Sequence, residues 1–380
     1  MDIKKLREEI NQIDSQLVEL FLKRMNTAAD IASYKIENQL PVFDSQRERE
    51  VLNRIAELAG EEMESYASQL YNTLFDLSRA YQNQLIPHNS QLAQEIKAAT
   101  CDLTQSFPTK ARVACQGTEG SYSQQAGDKL FSLPALMFFN DFEAIFQAVE
   151  KGLCEYGILP VENSLAGTVV PVYDLMERYK FYIVRSIRLR INHALLAKPG
   201  VALGDIREIV SHEQAIRQCS EFLKAHPQIK VTYFSNTAAA AKYVAAANRH
   251  DLAAISSECC AKLYGLDILS DHIQNRDNNY TRFICISKTM KIYPGANKIS
   301  VMLTLPHKSG SLYTLLAKFS ALGLNLTKLE SRPMTGRDFE FLFYFDFEAS
   351  AYSPQTVNLL SQLDANLEKF IFLGSYSEVI

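Results

Sequence analysis

The chain has 380 residues, of which 47% are hydrophobic and 22% charged, with a formal net charge of −4. That length predicts roughly two or three domains, each able to bury a core. The balance excludes a disordered chain and a broad nucleic-acid surface, which would need a basic excess. The start, Met1-Asp2-Ile3-Lys4, lacks a secretory signal and no apolar segment reaches membrane-spanning length, so a cytoplasmic protein without membrane partners is expected. The seven cysteines form no Cys-x-x-Cys pair and have no nearby His-x-x-His, which predicts reduced, mostly buried thiols and no metal site.

Residues 1–59 lack glycine and contain one proline, Pro41, the pattern of helices with short connections. Ile3, Leu6, Ile10, Ile13, Leu17, Leu20 and Ile31 recur in steps that place them on one face of a first helix reaching about Asn38. Arg24 occupies that same stripe. A guanidinium left dry and unpaired costs several kcal/mol, so an anion must meet it, either Glu48 or Asp44 of the chain or a ligand. Asp44 or Ser45 caps a second helix, and a third spans about Glu64 to Leu85 with the stripe Tyr71, Leu74, Ser78, Gln82 and Leu85. Arg7 and Lys35 flank the Arg24 row, where the alternative is a snorkelling surface role. Cations dominate the inward set of Arg7, Arg24, Lys35, Asp44, Arg47, Glu48, Ser78 and Gln82, which suits a small dianion.

From Pro87 to Pro108 the chain is polar and weakly patterned, and a linker is placed at 91–109. Short apolar runs then alternate with helical stretches: Ala111 to Cys115, Tyr156 to Val161, Phe181 to Ile187, Glu208 to Ser211, Ala253 to Ser256 and Phe283 to Ser287, with helices at Phe142 to Lys151 and Thr237 to Asn248. This predicts an α/β domain over 110–290 whose halves, about 110–190 and 191–272, enclose a ligand cleft, the chain returning to the first half near Thr281. Gly117 to Ser123 lies between strand and helix and reads as a plain turn. It has no Gly-x-Ser-x-Gly elbow to activate Ser121 or Ser123. His212 after a strand reads as structural. Beyond Pro294-Gly295, the order strand, helix, strand, strand, helix, strand over 296–380 predicts a ferredoxin-like α+β module with a binding role.

The helical segment, 1–90, resembles the all-helical chorismate mutase family through Leu6-Arg7-Glu8-Glu9-Ile10, Asp14, Arg24, Lys35, Pro41-Val42, Asp44, Arg47-Glu48-Arg49 and the Ser78/Gln82 pair. The resemblance implies that Arg24 and Arg47 bind substrate carboxylates and that Arg7 reaches in from a partner subunit. It further implies that Lys35 and Gln82 meet the ether oxygen, Glu48 and Asp44 the ring hydroxyl, and Ser78 a carboxylate. Conversion of chorismate to prephenate is a one-step rearrangement, so a site without nucleophile or general base, and without a cofactor, is sufficient.

Leu159-Pro160-Val161-Glu162-Asn163-Ser164, Ser211-His212 with Gln218, and Asn278-Asn279-Tyr280-Thr281-Arg282-Phe283 resemble the prephenate dehydratase family. That likeness implies a two-lobed, periplasmic-binding-protein-like domain in which Thr281 assists departure of the ring hydroxyl while Glu162, Asn163, Ser164, Ser211, Gln218 and Arg282 line the cleft. The last segment resembles the ACT regulatory domain through Gly310-Ser311-Leu312-Tyr313 and Glu330-Ser331-Arg332-Pro333, although Ser311 and Tyr313 depart from its usual pattern. It implies a phenylalanine site at an inter-subunit interface, with Gly310, Leu312, Asn325, Leu326, Glu330, Ser331 and Arg332. The expected protein is a bifunctional mutase and dehydratase making phenylpyruvate, at least a homodimer and feedback-inhibited by phenylalanine. The rival is a ligand-sensing regulatory protein with decayed pockets.

Overall fold

The computed structural model describes residues 2–38, 40, 44–85, 90–100, 104–334 and 340–380. Pro41, Val42, Pro87, Cys101 and Phe339 lie outside them, as do the side chains of Ser45 and Leu85. Helix α1 runs Ile3–Glu37, capped by the Asp2 carboxylate on the Lys4 N–H. Helix α2 spans Ser45–Leu85, and Asp44 caps it by accepting the Arg47 N–H at 3.0 Å. Within α2 the backbone leaves helical geometry at Gly60, φ 69° and ψ 165°, a left-handed conformation that side chains other than glycine resist. The predicted second and third helices thus abut at this glycine rather than being separated by a loop extending to Glu64. Part of the predicted linker is also ordered as helix α3, Gln91–Ala99, with Leu92 and Ile96 buried.

The chain divides into two compact units, 1–98 with 301–370, and 99–300 with 371–380. In the first, α2 packs on α1 and on two later helices, Ser311–Ala321 and Pro354–Asn366. Alpha-1 buries only Ala28 and Ala32 among its described residues, while Ile3, Ile10, Ile13, Leu17, Leu20 and Ile31 remain 44 to 63% exposed. The stripe has the predicted helical spacing, but one chain alone does not cover it.

Strands are numbered along the chain. The α/β region contributes β1 (Lys110–Gln116), β2 (Leu133–Phe139), β3 (Tyr156–Asn163), β4 (Gly167–Thr168), β5 (Tyr182–Arg190) and β6 (Ala194–Ala197). There follow β7 (Glu208–His212), β8 (Lys230–Phe234), β9 (Leu252–Ser256), β10 (Asp267–Ser270) and β11 (Tyr280–Ser287). After these come β12 (Lys298–Thr304), β13 (Asn325–Pro333), β14 (Phe341–Glu348), β15 (Phe370–Tyr376) and β16 (Glu378–Val379).

One sheet has the order β16-β5-β11-β3-β1-β2 with β4 beside β3; a second has β10-β6-β9-β7-β8. The chain enters the second lobe at Ala194 and rejoins the first sheet at Tyr280, as the sequence predicts. The first core gathers Val113, Cys115, Phe131, Ile158, Ile187 and Phe283, while the second lobe buries Leu196, Val210, Ala241 and Ala254 on one sheet face. The predicted β1, β3, β7, β9 and β11 are all present, and β5 starts one residue beyond Phe181. Strand β2 was not legible: it is a half-exposed edge with the weak alternation that edges tolerate. The third sheet, β13-β14-β12-β15, has the helix Ser311–Ala321 between its first two strands in sequence and Pro354–Asn366 between its last two, matching the predicted succession of elements.

Candidate active sites

On the helical side, Arg24 enters the stripe without a carboxylate partner among the described residues. Its guanidinium donates to the Leu74 carbonyl at 3.2 Å and to the Ser78 hydroxyl, and lies over the Phe75 ring, 5.8 Å from the centroid. Glu48, the alternative partner, is engaged elsewhere. It pairs with Arg79, which also pairs with Asp76, in a cluster whose side chains are 15 to 24% exposed. Lys318 of the helix Ser311–Ala321 borders this cluster; burial first, then the Arg79 charge, depress its pKa, while Asp76 raises it. Sequence reading passed over Arg79, because an arginine next to Ser78 in a helix looks like an ordinary surface charge.

Ser78 and Gln82 are both buried, one turn apart, and the Gln82 Oε1 has no hydrogen-bond partner among the described residues. Lys35 is half-buried, while Arg7, Asp44 and Arg47 are exposed. Asp44 is committed as the α2 cap, and Arg47 pairs with Glu50 at 3.2 Å. One chain therefore assembles Arg24, Ser78, Gln82, Glu48 and the unforeseen Arg79, with Arg7, Asp44 and Arg47 outside that cluster.

In the α/β unit the register of β3 against β11 sets Asn163 opposite Thr281 and Glu162 opposite Arg282. Because successive strand residues face opposite sides, Asn163 and Thr281 share one face and Glu162 and Arg282 the other. The pairing shifts just beyond, between Arg282 and Phe283, where Pro160 lies opposite Phe283; a bulge admits a proline that a continuous ladder would not.

Asn163 fixes its own orientation. Its Oδ1 accepts the N–H groups of Leu165 and Ala166 at 3.1 and 2.9 Å, so its Nδ2 must face Thr281 Oγ1 at 2.9 Å and Asn279 Oδ1 at 2.8 Å. Asn279, fully buried, donates to Gln218 Oε1 at 3.0 Å. The same oxygen lies 2.9 Å from His193 Nε2, and an oxygen that only accepts requires the proton on Nε2. Burial holds the His193 pKa below the ordinary imidazole value against the Gln218 hydrogen bond, and Nδ1 has no hydrogen-bond partner among the described residues. His193 escaped the sequence reading, being a polar residue buried where the chain crosses between lobes; Asn279 lies in the run 278–283 that the sequence singles out, which assigns it no role of its own. Ser164 spans the same crossover, donating to the Asn278 carbonyl at 2.7 Å and accepting the Tyr280 N–H at 3.0 Å.

A cavity of about 650 Å³ adjoins this network, sharing Gln218 with it and lined also by Leu165, Ala166, His212, Arg217 and Arg276. Arg217 is matched by Glu213 at 2.6 Å, whereas Arg276 has no ion-pair partner among the described residues. Of the six expected lining residues Gln218 alone borders this cavity; Asn163 and Ser164 lie in the adjoining network, and the other three are elsewhere. Arg282 and Glu162 face away, 3.8 Å apart, because they alternate with Thr281 and Asn163. Ser211 is fully buried and donates to the Ile255 carbonyl at 2.6 Å, tying β7 to β9. His212 caps the helix Glu213–Gln218 and Ser121 the helix Tyr122–Leu130, the bland roles expected of them.

In the third region a cavity of about 410 Å³ lies against Leu305, Pro306, Lys308, Leu312, Phe341 and Phe343. Gly310 precedes its helix at φ 82°. Asn325, Leu326, Glu330, Ser331 and Arg332 do not line that cavity; they lie on β13, an edge strand.

A half-buried arginine on a helical stripe, joined in one chain to an α/β region whose polar network adjoins a cavity with two arginines, defines a two-site enzyme of small organic anions. Residues 6–83 match the family model of chorismate mutase type II, and residues 113–291 that of prephenate dehydratase. The bifunctional chorismate mutase/prephenate dehydratase of Escherichia coli K12 is 30% identical over 98% of this chain and 95% of its own. An Arabidopsis thaliana arogenate dehydratase/prephenate dehydratase is 37% identical over 70% of this chain and 73% of its own. A solved prephenate dehydratase from Arthrobacter aurescens, in complex with L-Phe, is 28% identical with a TM-score of 0.63, covering 70% of this chain and 89% of its own. The chain belongs to the bifunctional chorismate mutase/prephenate dehydratase family. It rearranges chorismate to prephenate, then removes water and carbon dioxide to give phenylpyruvate.

Proposed function

We propose that Arg24, Lys35, Ser78, Gln82 and Glu48 serve the rearrangement and that Thr281, held by Asn163, serves the dehydration. The observation that carries the second assignment is the Asn163 donor on Thr281 Oγ1. A threonine whose oxygen accepts from an amide has its own proton free for another acceptor, and the same amide stabilises negative charge on that oxygen as the proton moves. Placed against the ring hydroxyl of prephenate, Thr281 would let the C–O bond break with loss of water. The carboxylate C–C bond then supplies its electron pair to the ring as carbon dioxide leaves, and solvent returns the proton to Thr281. Aromaticity drives the step.

On the mutase side, Arg24 reaches Ser78, one turn from buried Gln82, whose oxygen has no hydrogen-bond partner among the described residues, and Arg7 is the natural contribution of a second chain. The uncovered α1 stripe supports a homodimer, since a contiguous apolar face of that length seeks a partner. Boundaries of 1–90, 110–290 and 296–380 remain our working division. We read the last as a ferredoxin-like ACT module that binds phenylalanine near Gly310 and Leu312 of one chain, with Asn325, Leu326, Glu330, Ser331 and Arg332 presented by a partner's β13. The open edge of β13 and the cavity at Leu312 support that arrangement.

The test supplies chorismate and follows its loss and the appearance of phenylpyruvate in alkali. Arg24→Ala should block the first reaction and spare turnover of added prephenate, while Thr281→Ala should accumulate prephenate. Loss of neither activity in either variant would overturn the assignments. Repetition with phenylalanine should slow phenylpyruvate formation.

A further inference from the structure

The face of β11 behind Thr281 carries a second charge cluster. Arg282 turns there, 8% exposed, and its Nη2 donates to the Tyr376 hydroxyl at 3.3 Å. The same guanidinium lies 3.8 Å from Glu162 through Nη1 and 4.0 Å from Glu378 through Nε. Glu378, in β16, is the hub. Its carboxylate meets Lys298 Nζ at 2.9 Å and Arg188 Nη2 at 2.8 Å, and accepts from Ser186 Oγ at 3.4 Å. Side-chain exposures of 6% for Glu378 and 9% for Lys298 and Arg282 take these charges largely out of water.

The surrounding strands hold this hub in place. Glu378 lies in register with Ser186 in the parallel β16–β5 pair, and the Ser186 N–H donates to the Ser377 carbonyl at 3.0 Å. Tyr376 shares a hydrogen bond of 2.7 Å with Ser300. A side chain at position 374 would strike the Ile183 carbonyl, so Gly374 allows β15 its close approach to β5. Meanwhile the β3–β11 ladder slips between Arg282 and Phe283, one residue from Thr281. At a bulge the ladder fixes the backbone less firmly, and side-chain anchorage has more to do.

We infer that Glu378 is a positioning residue of the dehydratase reaction: it holds Arg282 on the far face of β11 and so fixes Thr281 Oγ1 opposite Asn163. This rests on the reading of Thr281 as the proton donor. Without the Glu378 carboxylate, Arg282 would lose the anion facing its Nε and Lys298 its partner at 2.9 Å, while Arg188, with its side chain 48% exposed, would turn to water. A buried guanidinium that loses one anion shifts toward the groups it keeps. Arg282 would carry its strand neighbour with it, and misplacement of a reacting group by about 1 Å can cost on the order of a hundredfold in rate.

The experiment uses the full chain and compares both activities in Glu378→Gln, Glu378→Asp, Glu378→Gln/Lys298→Met and Thr281→Ala. For Glu378→Gln, kcat on prephenate should fall by about tenfold or more with KM nearly unchanged, as expected when orientation rather than binding is lost. Chorismate turnover should hold, and Glu378→Asp should recover part of the dehydratase kcat. The double variant removes the surplus cation, so it should regain unfolding temperature without regaining kcat. Three results would overturn the inference: full dehydratase kcat in Glu378→Gln, proportional loss of both activities, or recovery of kcat together with unfolding temperature in the double variant. An active Thr281→Ala would instead bring down the reading of Thr281 itself.

Discussion

Asn163 Nδ2 lies 2.9 Å from Thr281 Oγ1 across an antiparallel strand pair, with the amide's orientation locked by two backbone N–H groups on its oxygen. Asn163→Ala should lower dehydratase kcat by about a hundredfold, the scale of losing one preorganised donor. Asn163→Asp is the sharper variant. It keeps the acceptor for Leu165 and Ala166 but offers Thr281 an acceptor, so the hydroxyl proton turns toward the carboxylate and away from substrate. Its kcat should be no better than that of the alanine variant despite firmer folding, read from phenylpyruvate formation on added prephenate. Recovery of activity in Asn163→Asp would refute the direction of this hydrogen bond.

Much of this arrangement was legible because strand and helix periods determine which residues can meet. Asn163, Thr281 and Gln218 belong to recognisable polar turns, and Arg24 stood out on an apolar stripe. What failed was facing. Arg282 follows Thr281 and Glu162 precedes Asn163, so motif reading grouped them, whereas strand alternation sends them to opposite sides of the sheet. Ser211 misled for a related reason: a hydroxyl at a strand end looks ligand-facing, yet its nearest acceptor is the Ile255 carbonyl of the next strand. His193 was invisible because one residue with no periodic company gives no signal until two distant crossovers are brought together, and Asn279, though inside the polar run 278–283, gave no sign that it meets Asn163 and Gln218.

Arg79 carries a prediction for the mutase. It bridges Glu48 and Asp76, so Arg79→Met leaves two part-buried carboxylates facing each other without their cation. Losing one partner of such a pair costs about 1–3 kcal/mol once discounted for partial exposure, which corresponds to roughly a tenfold or larger fall in chorismate kcat/KM if Glu48 is displaced. Arg79→Lys retains the charge but not the fork that reaches both carboxylates, and should fall between. Prephenate dehydration by the same preparations should remain at the parent level. Equal mutase activity in all three proteins would show that Glu48 does not depend on Arg79.

Arg276 is the cation of the α/β cleft without an ion-pair partner among the described residues, and the substrate bears two carboxylates. With Arg282 turned to the other face and Arg217 matched by Glu213, Arg276 is the group best placed to bind one of them. Arg276→Ala should raise KM for prephenate by about tenfold with a smaller change in kcat, the pattern of lost uniform binding. The effect should shrink with added salt, because an exposed ion pair is screened. A KM that does not move would exclude this contact.

His193 links the cleft to acid stability. Burial lowers its pKa in the folded protein beneath the ordinary value of 6.5, so the unfolded chain takes up the proton first as pH falls. The stabilisation due to the neutral, Gln218-bound ring is therefore complete above about pH 6.5 and is lost progressively below it, until the depressed folded pKa is reached. Over that window the slope approaches about 1.4 kcal/mol per pH unit for a single group. Urea unfolding of the full chain at pH 7.5, 6.5 and 5.5 should show the loss. His193→Gln, which keeps a donor for Gln218 but does not titrate, should be less stable at pH 7.5 and flatter toward pH 5.5. If the variant loses stability with acid as steeply as the parent, the titrating group lies elsewhere.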